Sequence, residues 1–204
     1  IQGRDEQSAR QGIHGPIPMI SRNPKTLRVG GADVPIRWDM WAALDIIRAL
    51  GDPNLSPEEK NLVMLMILYP EYGALSDIGE ALTKATWFLD CGREHEERRR
   101  PALMDWDKDF ELIVPAVNEV VGYDVCERED VHWWTFVRAY MQIFSREGNL
   151  FAGVIGIREK LKRGKKLEKN ERAFYNENRA IIDLPVRISD EDQAFFDSIM
   201  NGGE

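Results

Sequence analysis

From Thr26 to Ile36, apolar and polar residues alternate in two short runs. Leu27 and Val29 share one side of the first run, Val34 and Ile36 share one side of the second, and Gly30-Gly31 separates them. Period-two runs joined by a two-residue glycine turn predict a small β-hairpin. Pro35 has no N–H to give to a ladder, so its strand belongs at an edge. From Asp39 onward the apolar spacing lengthens to three and four residues, and helix signals dominate.

The first helix starts at Asp39 as N-cap, carries Trp41, Leu44 and Ile47 on one face, and stops at Gly51 with Pro53 beyond. The second has a strong start: Ser56 caps, Pro57 fills the first helical position, and Glu59 completes a capping box. That start makes the apolar run from Leu62 to Tyr69 a buried helix rather than a strand, ended by Pro70. A third helix presents Leu75, Ile78, Leu82, Ala85 and Leu89 on one face and ends at Gly92. The mixed-charge stretch 93–101 then reads as an exposed loop.

Helical spacing resumes through Trp106, Phe110, Ile113, Val117 and Val121, closing at Gly122. Pro115 either kinks this helix or marks the start of a shorter one. Further helices are expected over 128–144, 149–161 and 169–182, and Ser189 is placed to cap a short acidic helix with Ala194, Phe195 and Ile199 on one side.

Within "HWWTFVRAYMQIF", Trp134, Val137, Met141 and Phe144 form one arc. Trp133, Phe136, Tyr140 and Ile143 form the adjacent arc, leaving a narrow polar strip of Thr135, Arg138, Gln142 and Ser145. Adjacent helical positions point about 100° apart. An apolar face this wide needs neighbours on two sides, so the helix is expected to be central, with both indoles packed inside.

The pattern adds up to an all-α domain with a minor N-terminal hairpin over residues 25–185. A polar leader precedes it over 1–24, expected to lack structure of its own, with Met19 a candidate start. An acidic tail follows over 186–204. The 204 residues carry 27 Lys and Arg against 35 Asp and Glu, a net charge of −8. That balance argues against a general nucleic-acid binder. The two cysteines argue against a disulfide scaffold and fit a reducing compartment. No apolar run approaches membrane-spanning length.

Candidate chemistry is sparse. Cys91, His95, Cys126 and His132 supply the ligand types of a zinc site, but their spacing is loose and core or turn roles account for them. No nucleophile elbow, phosphate loop, dinucleotide fingerprint or zinc-protease motif occurs, so no enzyme is expected. Asp105, Asp107 and Asp109 lack the glycine and terminal glutamate of a calcium loop, and read as charges offsetting a helix dipole. Between Arg158 and Arg172 cations outnumber acids eight to three. Lys160, Lys162, Arg163, Lys165 and Lys166 could there meet an acidic partner, or simply solvate a helix–loop–helix around Gly164.

The order of these elements resembles the bacteriophage gene-product-fifteen family of tailed phages and prophages. The likeness runs from Leu27 to Pro185 and rests on the ordered set "VPIRWDMWAALDIIRAL", "LSPEEKNLVMLMILYP", "EALTKATWFLDCG", "DWDKDFELIVPAVNEVVGYDV", "VHWWTFVRAYMQI" and "NERAFYNENRAIIDLP". Its most specific marks are His132-Trp133-Trp134 and the Trp-Phe-x-x-Cys-Gly element from Trp87 to Gly92. Pro115 and the two chain ends depart from the family pattern.

The resemblance implies a non-enzymatic tail assembly chaperone without cofactors. Such proteins coat the tape-measure protein, recruit tail tube subunits, act with a companion chaperone or by self-association, and stay in the host cytoplasm when the virion is complete. The alternatives are a tail or head-completion protein retained in the virion, or a small Cys/His metal-binding protein. The surplus of large apolar residues nominates Trp41, Met64, Met66, Trp87, Phe88 and Met141 for a partner groove.

Overall fold

The computed structural model describes residues 22–93, 103–146 and 148–192. The chain begins with the expected antiparallel hairpin, β1 (Thr26–Val29) and β2 (Ala32–Pro35), with Leu27 opposite Val34 and Val29 opposite Ala32. Gly30 and Gly31 both hold positive φ, at 58° and 81°. The first is required twice over, because a Cβ at Gly30 would lie 1.9 Å from Ser76 Oγ. The hairpin tip is docked there, with Gly30 N–H donating to Glu80 at 2.7 Å.

Eight α-helices follow among the described residues: α1 (Met40–Gly51), α2 (Pro57–Leu68), α3 (Ile78–Leu89), α4 (Trp106–Val121), α5 (Trp133–Ile143), α6 (Leu150–Lys162), α7 (Lys169–Glu177) and α8 (Arg179–Ile182). The caps explain the starts. Asp39, Asp77, Asp105 and Asn149 accept the third N–H beyond them, and Ser56 and Glu59 form the reciprocal capping box. None of the described helices is long and apolar enough to cross a membrane.

Several expectations are corrected. The buried face of α3 is Ala81, Ala85 and Phe88, whereas Ile78 is exposed and Leu82 and Leu89 are half-buried. Small alanines here let α3 pack closely, so the inward side does not follow the largest residues. Two left-handed residues follow α3, Cys91 at φ 57° and the expected Gly92 at φ 75°. Gly92 N–H donates to Trp87 O and Cys91 N–H to Phe88 O, a Schellman end with cysteine where glycine is usual. Pro115 neither ends nor begins a helix: α4 runs through it. Pro115 faces solvent, so the carbonyl it leaves without a partner can be hydrated. Helix α5 starts at Trp133 rather than Arg128, and the expected 169–182 helix breaks at Asn178, whose side chain donates to Phe174 O.

The domain reaches further than 25–185. Asn23 donates to Thr135 Oγ1 at 3.0 Å and Pro24 O bonds His132, so the end of the expected leader is anchored on α5. Residues 186–192 also pack on the domain. Ser189 caps a helical turn, accepting from Asp192 N–H, while Ala194, Phe195 and Ile199 lie outside the described residues, as do the leader up to 21 and most of the 93–101 charged stretch.

The main core gathers β1, α1, α2, α3, α4 and α5. Its largest fully buried side chains include Tyr69, Phe88, Phe136 and Met40. A satellite core of Val154, Ile157 and Ile182, covered by Phe174 and Tyr175, joins α6, α7 and α8.

Candidate partner-docking surfaces

Helix α5 is central, as its wide apolar arc requires: Trp133, Trp134, Phe136, Ala139 and Ile143 are buried. The adjacent indoles serve one end. Trp134 Nε1–H donates to Phe88 O at 2.8 Å, and Trp133 Nε1–H donates to Leu89 O at 2.9 Å. These are among the last carbonyls of α3, where the regular i+4 bonds run out; Phe88 O also takes the Cys91 N–H. The 100° between neighbouring positions lets the two rings straddle that helix end and reach consecutive carbonyls.

His132 caps α5. Its Nδ1 accepts from Trp134 N–H at 3.0 Å, which leaves the proton on Nε2, 2.9 Å from Pro24 O. The ring stacks on Trp38 with centroids 5.4 Å apart, and burial holds its pKa below the usual value. Both nitrogens are thus committed to the protein's own hydrogen bonds. Cys91 and Cys126 are free thiols, and burial pushes Cys91 up to about 11. His95 lies outside the described residues. Among the described residues, no group of three His, Cys, Asp or Glu could hold a metal ion.

The six apolar partner candidates separate. Met64 and Phe88 are core residues, which corrects their assignment to a surface: Met64 points with Leu65 and Leu68 into the domain, and Phe88 packs on Trp134 and His132. Met66, Trp87 and Met141 are exposed, on three different helices. Trp41 is half-buried, donates its indole N–H to Arg128 O at 3.1 Å, and lines a cavity with Leu44, Trp106 and Phe110.

Two apolar surfaces result. On α2, Leu62 and Met66 are each 48% exposed while Met64, Leu65 and Leu68 are buried. Positions 62 and 66 are one turn apart and share a face, so α2 is apolar on both sides. At the end of α5, Met141 and Phe144 are exposed, with Phe144 packed 5.9 Å from Phe151, and Leu150 is exposed at the start of α6. Leu62, Phe144 and Leu150 escaped the candidate set. The signal for Leu62 was present in "NLVMLMIL", since no helix buries its whole circumference against two neighbours.

The basic segment is less uniform than its composition. Arg158 is not part of it: its guanidinium is 3% exposed and forked on the fully buried Asp109, at 2.6 and 2.8 Å. It also donates to Leu103 O, Ile181 O and Ile182 O, tying α4, α6 and α8 together. Asp109 therefore has a role beyond the helix dipole. Lys160 pairs with Glu171 and Arg163 with Glu159. Lys162, Arg163, Lys165 and Lys166 remain exposed around the left-handed Gly164.

A third surface was not foreseen. Between α1 and the start of α4, three cavities of about 600, 320 and 220 Å³ share Arg48 and Asp107 in their walls. The chain crosses this trough after α8. Arg187 forks onto Asp105 at 2.7 and 3.0 Å and reaches Asp107 at 2.6 Å, while Asp190 N–H donates to Asn54 at 2.8 Å. Hydrogen bonds from Arg187 hold the Asp105 carboxyl below its ordinary pKa.

Comparison with curated proteins and with solved structures returned no match. The family described as Bacteriophage Gp15 protein matches residues 21–184, which spans the hairpin, the eight helices and both cores. On that match the chain belongs to the bacteriophage Gp15 protein family.

Proposed function

We propose that this protein is a non-enzymatic tail assembly chaperone that binds the phage tape-measure protein. In this reading it works in the host cytoplasm, helps recruit tail tube subunits, and leaves before the virion is complete. A companion chaperone or a second copy would share the client. The observation that carries the reading is the second apolar face of α2, Leu62 and Met66, on a protein of a phage family.

A tape-measure protein is a long helical chain whose apolar stripes aggregate when bare. An amphipathic helix laid against an apolar face buries both stripes. Methionines such as Met66 and Met141 adapt to varied side chains, which suits a client whose sequence changes along its length. Many modest contacts also favour release, which one deep pocket would not. The exposed cations Lys162, Lys165 and Lys166 would speed encounter with an acidic stretch and add a salt-sensitive part.

Two measurements test this. Mass spectrometry of infected-cell lysate and of purified virions should find the chain in the first and not the second; stoichiometric presence in virions would make it a structural protein instead. Raising salt to about 1 M, where the Debye length is near 3 Å, should weaken a client complex only modestly. Complete dissociation would transfer the site to the basic segment.

A further inference from the structure

The segment 184–190 lies across the trough between α1 and α4, held at Arg187 and Asp190 and by the half-buried Leu184 and Ile188. Val186 is 85% exposed, and Arg187 is paired at a partly exposed site. The fork is charge-assisted and partly buried, with Asp105 11% exposed and Arg187 39%, so salt screens it only in part. The second anchor is the single bond from Asp190 N–H to Asn54. The family match ends at residue 184, where this strap begins, so the trough is a surface of the family domain that this chain covers with its own tail.

The trough has a definite chemistry. Asp45, Asp52, Asp105 and Asp107 face one native cation, Arg48, which pairs with Asp107 at 2.7 Å. Its continuation, walled by Trp41, Leu44, Trp106 and Phe110 together with Asp45, Arg48 and Asp107, is lined by none of the strap's residues. Arg187 shows what the acidic part recognises: a guanidinium forked on Asp105 and bridging to Asp107, from a chain with half-buried Leu184 and Ile188 on either side.

We propose that this trough is an arginine-reading docking site for an extended segment of a partner protein, and that residues 184–190 are a built-in occupant that the partner displaces. The partner segment carries an arginine for Asp105 and Asp107, with apolar residues flanking it. The strap's anchors are few, at Arg187 and Asp190, which suits this role. A tethered segment acts at an effective concentration on the order of millimolar, so modest contacts keep it seated, and a partner with additional apolar contacts displaces it. The same arrangement keeps unrelated basic segments out. This inference does not depend on the chaperone reading.

The test uses the full-length protein and a fluorescent peptide of the sequence Leu-Pro-Val-Arg-Ile-Ser-Asp, followed by anisotropy. Wild type should bind it poorly because its own strap competes. R187A should bind it at least about tenfold more tightly, and N54A, which releases the other anchor and leaves the carboxylates intact, should shift in the same direction. Adding D107N to R187A should abolish the gain, and a peptide with alanine for arginine should not bind. R187A and N54A both binding no better than wild type would overturn the proposal, as would equal binding of the arginine-free peptide. A concentration-dependent dimer of wild type that R187A abolishes would assign the segment to a second copy and overturn the displaceable strap in cis.

Discussion

Trp134 donates its indole N–H to the carbonyl of Phe88 at 2.8 Å, so the start of α5 closes the end of α3. The same ring packs on Phe88, Trp87 and His132, with centroids between 5.3 and 6.2 Å. Bulk and hydrogen bond can be separated by mutation. Trp134→Ala should lower stability by about 3–5 kcal/mol, the range for a buried aromatic. Trp134→Phe keeps most of the ring and should cost about 1 kcal/mol for the lost hydrogen bond. Urea denaturation of both variants measures this, and an unchanged midpoint for Trp134→Ala would refute the packing role.

Asp109 and Arg158 stand 49 residues apart and form the buried clasp between the two cores. Removing one partner leaves a buried charge without its counterpart, which typically costs about 3–5 kcal/mol. Asp109→Asn should therefore destabilise by that order. Asp109→Leu combined with Arg158→Met should recover part of the loss, because the stranded charge disappears. A double variant as unstable as the sum of the singles would contradict this. Conversely, Lys162→Ala should change stability by less than about 0.5 kcal/mol, since its side chain is exposed.

His132 makes stability depend on pH in a defined direction. Burial lowers its folded pKa from 6.5, with Lys25 and Arg138 acting the same way and Pro24 O opposing. Protonation would also set a second N–H against Trp134 N–H. The unfolded chain takes up the proton first, so the contribution is fully present above about pH 6.5 and is lost as pH falls through the lower folded value. Thermal midpoints between pH 8 and 5 should fall more steeply for wild type than for His132→Asn, which can cap without titrating. Parallel slopes would exclude His132 as the cause.

Local signals were legible in the sequence, and long-range ones were not. The hairpin, the Asp39 cap and the Ser56–Glu59 box depend on residues within four positions of one another. The wide arc of α5 announced a central helix because so few of its positions are polar. The inward phase of α3 was missed because Ala81 and Ala85 contribute through closeness of approach, which size-weighted periodicity ignores. Met64 and Met66 are indistinguishable in "LVMLMIL"; only the neighbours of α2 decide which one is covered. Arg158 sat in a basic run and Asp109 in an acidic one, and nothing local links them. The strap escaped because Arg187 meets Asp105 across 82 residues.

Coexpression with a tape-measure protein tests whether the apolar face of α2, Leu62 and Met66, holds such a client. Wild type should keep the tape-measure protein soluble and copurify with it. A variant with Leu62→Glu and Met66→Glu should lose both effects while keeping its own melting temperature, because both side chains are already half in water. A tape-measure protein that neither copurifies with wild type nor gains solubility from it would contradict the chaperone role.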